Sequence, residues 1–368
     1  MALESGGDYL ESRMKKLIRE KKKIGFDLTP FVYGRAAGYN EYVLSLMEGL
    51  VSCRSAEYSI TLFVRKDQCQ HFSFLPSDFK IIEVDVSSVI GRVLWQNLCL
   101  PFVKGMDFFV FTGNFAPIHL ETPYLLVTHD LNYKRYANNF SALGLAYRRF
   151  ISKRSVLKAA ISVTGSEVVR EETLREFGAS TFVVYNPVRV SVKSIESEKK
   201  IVVCPTSLAL HKNASSAYEA CIRLVEKFSD VKVYFIGNWI VEDFPANRHH
   251  SNVELLGYVD ETKKAEIFGS ACCILTASVY EGFGMPYAEA MLMNKSLVCS
   301  NIPVANEVAL NYPFYIRAPF DSEAIYDALC NAYSSGFTPG LVDSSIIDRF
   351  RPANAVKSYL ELINENLQ

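Results

Sequence analysis

Ser278-Val279-Tyr280-Glu281-Gly282-Phe283-Gly284-Met285-Pro286-Tyr287-Ala288-Glu289-Ala290-Met291 is the stretch whose reading decides the rest of this chain. The apolar run Cys272-Cys273-Ile274-Leu275-Thr276 before it predicts a buried strand, and Tyr287 to Met293 predicts a helix. Pro286 suits the first helical position, where a missing N–H costs nothing and the fixed φ is already helical. Gly282 and Gly284 then fall in the strand-to-helix turn, where backbone N–H groups can approach an anion. Glu281 lies in that turn and Glu289 on the first turns of the helix. Two carboxylates so placed can grip separate parts of a long polyhydroxyl ligand. The plainer reading is an ordinary strand–turn–helix with one carboxylate near a helix N-terminus, where the macrodipole favours it anyway.

Composition bounds the rest. At 368 residues the chain is too long for one ordinary core, so two domains are expected. An apolar share of 49% and a net charge of −1 describe a soluble globular protein without affinity for nucleic acid. No run approaches the roughly 18–20 apolar residues of a membrane span. Met1 to Gly7 lacks the apolar core of a signal peptide, which predicts a cytoplasmic protein. The nine cysteines include no Cys-x-x-Cys pair, and Cys204, Cys272, Cys273 and Cys299 sit in strand-like runs. Buried reduced thiols fit this pattern better than disulfides or zinc.

Taken in order, residues 1–22 read as a basic helix with Leu10, Met14, Leu17 and Ile18 at helical spacing. It is either a membrane-surface or partner-docking helix or a solvated lead-in, and the second reading is preferred. Strand-like runs at 23–28, 58–63, 80–84, 107–111 and 124–127 alternate with helical or loop segments, as in a parallel α/β sheet. Gly34 and Gly38 follow the first strand but do not make Gly-x-Gly-x-x-Gly, so a nicotinamide site is not expected. His129-Asp130 ends a strand, where open α/β sheets bind ligands. The basic stretch Tyr147 to Arg154 is read equally as solvated charge or as peripheral membrane contact. Ser166 is placed to cap a helix. Phe182 to Val188 closes the first domain, and the polar stretch Ser191 to Lys200 is the linker. The first domain is thus 1–190 and the second 191–350. In the second, Lys212 beyond a strand end can meet a diphosphate as a point charge. Val231 to Ile236 is a strand ending at Gly237, and 320–335 and 351–366 read as helices.

Glu281-Gly282-Phe283-Gly284-Met285-Pro286-Tyr287-Ala288-Glu289 closely resembles the donor-binding signature of retaining GT-B glycosyltransferases, family four in particular. Lys212-Asn213, His129-Asp130, Tyr185-Asn186-Pro187 and the segment Ser296 to Val308 resemble further parts of that family's pattern. The resemblance is strong from Ile201 to Val308 and diffuse before Leu126. It implies two Rossmann-like domains facing across a cleft, with a C-terminal helix (about 351–368) crossing back to the first. It also implies a hexose moved from a nucleotide diphosphate sugar, GDP- or UDP-linked, to a glycan or lipid-linked acceptor. Mannose is favoured weakly.

By the same resemblance Glu289 binds ribose hydroxyls, Glu281 holds the donor sugar, Lys212 stabilises the departing diphosphate and His129 orients the sugar. Gly38, Gly237, Tyr258, Gly282, Phe283, Gly284 and Met285 complete the donor-binding set. No metal or other cofactor is implied, and the chain has no Asp-x-Asp pair. One departure stands out: Thr206-Ser207 occupies the region where an Arg is expected. That departure is the best support for an alternative, a non-catalytic sugar-nucleotide or glycan-binding protein. A nucleotide-sugar epimerase of the same fold is the other.

Overall fold

A computed structural model describes residues 21–367 apart from 35–36, 137–140, 191–199, 238, 240 and 245–247. The basic helix expected over 1–22 and the linker expected at 191–200 lie almost wholly outside the described residues. The first half of the chain supplies β1 (Lys22–Asp27), α1 (Ala37–Ser52), β2 (Tyr58–Arg65), β3 (Lys80–Val84), α2 (Val89–Leu98) and β4 (Phe108–Phe111). There follow β5 (Tyr124–Thr128), α3 (Asn132–Arg135), α4 (Ala142–Lys158), β6 (Ile161–Thr164), α5 (Glu167–Phe177) and β7 (Phe182–Val183). These strands form one sheet in the order β3-β2-β1-β4-β5-β6-β7. The second half supplies β8 (Lys200–Pro205), α6 (Ala214–Lys227), β9 (Val231–Ile236), β10 (Val253–Gly257), α7 (Glu261–Ser270) and β11 (Ala271–Thr276). After them come α8 (Met285–Leu292), β12 (Ser296–Ser300), α9 (Pro303–Val308), β13 (Phe314–Ile316), α10 (Ser322–Ser334), α11 (Ser344–Asp348) and α12 (Pro352–Asn366). Their sheet runs β10-β9-β8-β11-β12-β13.

Both sheets are parallel, as the continuous apolar runs predict. Phe108-Phe109-Val110-Phe111 and Tyr124-Leu125-Leu126-Val127-Thr128 are buried on both faces, which only helix-covered parallel strands require. Strand order reverses between β1 and β4 in the first sheet and between β8 and β11 in the second. Ligands in such sheets bind beyond the carboxyl ends of strands at these switch points. The loop after β1, the His129 loop after β5, Lys212 after β8 and the Glu281 turn after β11 all leave carboxyl ends.

Where the strands stop differs in detail from the sequence reading. In the segment Phe182 to Val188 that closes the first domain, the strand β7 covers only Phe182 and Val183, and the chain has left the ladder before Asn186-Pro187. It is an edge strand, and Pro187 has no N–H to extend a ladder. The chain leaves the sheet there, and Val188 N–H instead donates to the Phe350 carbonyl (2.8 Å). Pro286 takes the second helical position of α8, after Met285.

The last helix does cross back. Val356, Tyr359 and Ile363 of α12 join Tyr42, Val43 and Met47 of α1 in the first sheet's core. Tyr42 and Tyr359 share a buried hydroxyl–hydroxyl bond of 3.0 Å. Each fully buried apolar side chain of this kind stabilises the contact by about 1.5–3 kcal/mol. The end of the chain thus closes the first domain's core after the second sheet is complete.

Candidate active site at the domain boundary

The turn after β11 is shaped by two glycines for two different reasons. Gly284 caps α8 at φ +81°, a left-handed conformation, and a Cβ there would also run into the Tyr287 ring. Gly282 has a neighbour problem instead. A Cβ on it would fall inside the carbonyl of His129 and within 3.0 Å of Asp130 Cβ. The turn therefore lies against the His129-Asp130 strand end of the other domain, and only a glycine allows that approach.

Side chains on either side of Gly282 fasten the contact. Ser166 caps α5 by accepting from Val169 N–H, and its hydroxyl donates to the Gly282 carbonyl (2.6 Å). The buried Tyr280 hydroxyl donates to Glu172 Oε2 (3.0 Å) and accepts from Leu131 N–H (3.3 Å). Arg135 donates to the other Glu172 oxygen (2.6 Å) and lies over the Tyr280 ring. Phe283 turns its side chain into the core against Tyr185 and Phe350, so only its backbone is left to face a ligand. Glu307 of α9 accepts from the N–H groups of Glu167 and Val168 at the start of α5 (2.7 and 3.1 Å).

The charged groups gather at this junction. Lys212 Nζ pairs with Glu281 Oε1 at 2.5 Å. Lys212 ends a short 3-10 turn, and Asn213, at φ +53°, intervenes before α6. Val279 N–H donates to the His211 carbonyl (2.8 Å), which ties the Lys212 loop to the motif turn. Burial pushes the Asp130 carboxyl up, with Glu281 and Glu172 adding to it, against the Asn132 N–H and Lys212. Asp130 thus shares one electrostatic site with Lys212 and Glu281.

His129 is held tightly. Its Nε2 lies 2.7 Å from the Thr112 carbonyl and its backbone N–H donates to Asn114 Oδ1 (2.7 Å). Tyr39 and Tyr42 meet its ring edge-to-face, at centroid distances of 5.6 and 4.6 Å. Burial lowers its pKa to about 4, only partly offset by the Thr112 carbonyl. The imidazole is therefore neutral near pH 7. Since a carbonyl only accepts, this bond assigns the proton to Nε2 and leaves Nδ1 as an acceptor.

Residues 190–336 match the glycosyl transferases group 1 family. This domain belongs to that family. A 217-residue stretch, 56% of the chain, is 25% identical to the O-antigen chain mannosyltransferase RfbU of Salmonella typhimurium and spans 60% of that relative's length. Sucrose-phosphate synthase from Thermosynechococcus elongatus has the same fold: TM-score 0.71, 14% identity, 94% of this chain and 99% of that one. So does WaaG, a glycosyltransferase involved in lipopolysaccharide biosynthesis: TM-score 0.64, 15% identity, 92% and 95% covered. The two-sheet architecture is GT-B.

The second glutamate of the group 1 motif makes a separate cross-domain set. Glu289 pairs with Lys264 of α7 (3.5 Å), and Lys264 also pairs with the buried Glu41 of α1 (3.4 Å). Arg189 holds the other Glu41 oxygen (3.2 Å). Burial pushes the Glu289 carboxyl up, and Lys264 opposes that. Nearby, a Cβ added to Gly38 would only just reach the Met285 side chain (4.0 Å), whereas one added to Gly34 would press on the Tyr258 ring (3.2 Å). Gly237 is enclosed by the Thr206 carbonyl and the Trp239 ring at the end of β9. Sequence reasoning placed the two motif glutamates, His129 and Lys212 but assigned no part to Tyr280, Glu172, Glu41 or Lys264. Lys264 and Glu289 lie on different helices, and Tyr280 meets Glu172, and Lys264 meets Glu41, across the two halves of the chain, so no local spacing marks them.

Proposed function

We propose that this protein moves a hexosyl group, with mannose favoured, from a nucleotide diphosphate sugar to a hydroxyl of a glycan or lipid-linked acceptor. Retention at the anomeric carbon and independence from metal are part of the reading. The observation that carries it is the junction of the Glu281 turn with His129-Asp130. The Lys212 cation and the Glu281 and Asp130 carboxylates converge there, against the His129 backbone, beyond the strand ends of two GT-B domains. Likeness to a mannosyltransferase supports the choice of sugar.

In this reading the bond from the anomeric carbon to the diphosphate oxygen breaks and its electron pair leaves with the diphosphate. The acceptor oxygen bonds to the same face of that carbon, and its proton passes to the departing phosphate oxygen. Lys212 stabilises the developing charge with a preorganised ammonium, the kind of contribution that strengthens as charge develops. Glu281 holds sugar hydroxyls and keeps Lys212 in place. His129 accepts from a sugar hydroxyl through Nδ1, and Glu289 accepts from the ribose. The backbone of Gly282 to Met285, with Gly38, Gly237 and Tyr258, surrounds the nucleotide.

The test is the product. With a GDP- or UDP-hexose and a glycan or lipid-linked acceptor, proton NMR should show a new glycosidic bond of the donor's anomeric configuration. A chelator should leave the initial rate unchanged. An inverted product, or a rate abolished by the chelator, refutes those parts of the reading.

A further inference from the structure

The second motif glutamate stands in a row of charges that runs across the cleft. Arg189 and Glu41 come from the first domain, Lys264 and Glu289 from the second, and the signs alternate. Arg189 meets Glu41 at 3.2 Å, Glu41 meets Lys264 at 3.4 Å, and Lys264 meets Glu289 at 3.5 Å. Two helices bring them together. On α1, Glu41 lies one turn beyond Gly38, and on α8, Glu289 lies one turn beyond Met285. Gly38 and Met285 already approach each other, a Cβ on Gly38 coming within 4.0 Å of the Met285 side chain. One turn further along both helices, Lys264 of α7 stands between the two carboxylates.

The distances set this lysine apart from the other one at the site. A charge-assisted N–H···O bond closes to about 2.7–2.9 Å, and Lys212 meets Glu281 at 2.5 Å. Lys264 stays outside that range from both of its carboxylates, held between two anions and closed on neither. It is also the most open of the three, with 25% of its side chain exposed against 11% for Glu41 and 12% for Glu289. A ligand that reaches Glu289 therefore meets the Lys264 ammonium on the way. A carboxylate only accepts hydrogen bonds and an ammonium only donates them. A group that satisfies both through one atom must donate and accept, which a hydroxyl does and a phosphate oxygen, a carbonyl or an amide N–H does not.

We propose that Lys264 selects the ribose of the donor: one ribose hydroxyl donates to Glu289 and accepts from Lys264. Glu41 of the first domain is the positioning residue, which draws the ammonium off Glu289 and leaves room for the hydroxyl between them. The proposal rests on the reading of Glu289 as the ribose carboxylate. Without Glu41 the ammonium closes onto Glu289, and the sugar has a tight pair to part before it binds. A deoxyribose that lacks the hydroxyl leaves both charged groups short of a partner. Sites built around a hydroxyl reject such analogues for that reason. Because Glu41 and Arg189 belong to the first domain, selection for ribose needs both domains, although every direct nucleotide contact lies on the second.

Calorimetric titration of the full chain with GDP, UDP and their 2′-deoxy and 3′-deoxy forms, in mildly alkaline buffer that keeps Glu289 ionised, tests this. Wild type should prefer the ribonucleotide over one of the deoxy forms by about a hundredfold, the loss of two charged hydrogen bonds at about tenfold each. Lys264→Met should cut that preference to about tenfold. Lys264→Gln, an N–H donor without the charge, should fall between the two. Glu41→Gln, which touches no nucleotide, should narrow the preference several-fold. Each protein is its own reference, so a variant's lower stability does not move the ratio. Wild type binding ribo- and deoxynucleotides alike, or both Lys264 variants keeping the full preference, would overturn the proposal while leaving the donor site standing. The row of charges would then be a clamp between the domains and nothing more. An unchanged preference in Glu41→Gln would overturn the part given to Glu41. Wild type binding neither ribonucleotide would instead overturn the donor-site reading, and this proposal with it.

Discussion

Gly282→Ala is the sharpest perturbation available at the domain boundary. The new Cβ would come about 1 Å short of the 3.0 Å that real Cβ contacts respect, and the obstacle is the backbone carbonyl of His129, which has no rotamer to yield. The turn must retreat by that amount or more. The move pulls Glu281 and Lys212 away from His129 and Asp130 and stretches the Ser166–Gly282 bond, now 2.6 Å. A misplacement of about 1 Å between reacting groups costs on the order of a hundredfold in rate. Overpacking costs about 1–3 kcal/mol in stability. The nucleotide contacts proposed for Glu289 and Lys212 lie wholly on the second domain and should survive. The expected result is a kcat lowered about a hundredfold, with nucleotide affinity, measured by calorimetry, within a few-fold of wild type. A Gly282→Ala protein that turns over at the wild-type rate would refute the claim that the site is assembled across this contact.

Other outcomes follow from the same geometry. Lys212→Met leaves Glu281 half-buried without its cation, so the folded state should lose about 1–3 kcal/mol in denaturant titration and nucleotide affinity should fall sharply. Lys212→Arg should restore much of both. Tyr280→Phe removes the hydroxyl shared by Glu172 and Leu131 and should lower stability by about 1–3 kcal/mol while leaving the folded spectrum intact. His129 has its folded pKa depressed from 6.5 to about 4, so the stability it contributes is complete above pH 6.5 and drains as pH falls towards 4. Urea unfolding at pH 6.5 and pH 5 should differ by roughly 2 kcal/mol more in wild type than in His129→Phe. Lys264→Met should raise the Glu289 carboxyl further, since Lys264 is its largest lowering partner. Nucleotide affinity should then begin to fall at a higher pH in that variant than in wild type, measured by calorimetry across a pH series.

The fold was legible because its signals are local. Phe108 to Phe111, Tyr124 to Thr128 and Ala271 to Thr276 are uninterrupted apolar runs, and burial on both faces needs nothing else. The motif was legible for the same reason: turn glycines, proline and both glutamates stand within a dozen residues. What Gly282 touches was not. Its neighbour is a carbonyl on the other sheet, and nothing in the string of letters says which strand end arrives there. Lys264 looks like one more charge on a helix with Lys263 and Glu266 around it, until folding sets Glu41 and Glu289 against it. Phe182 to Tyr185 has strand composition throughout, yet β7 covers only its first two residues, because an edge position gives the chain a partner on one side alone.

The measurement closest to the central claim is nucleotide release from a panel of UDP- and GDP-sugars, with wild type beside Glu281→Ala. The account predicts release of one nucleotide, from one or a few of its sugars, dependent on an added acceptor and lost in the variant. Release that continues undiminished in Glu281→Ala, or a nucleotide that binds and is never turned over with any acceptor, would contradict it.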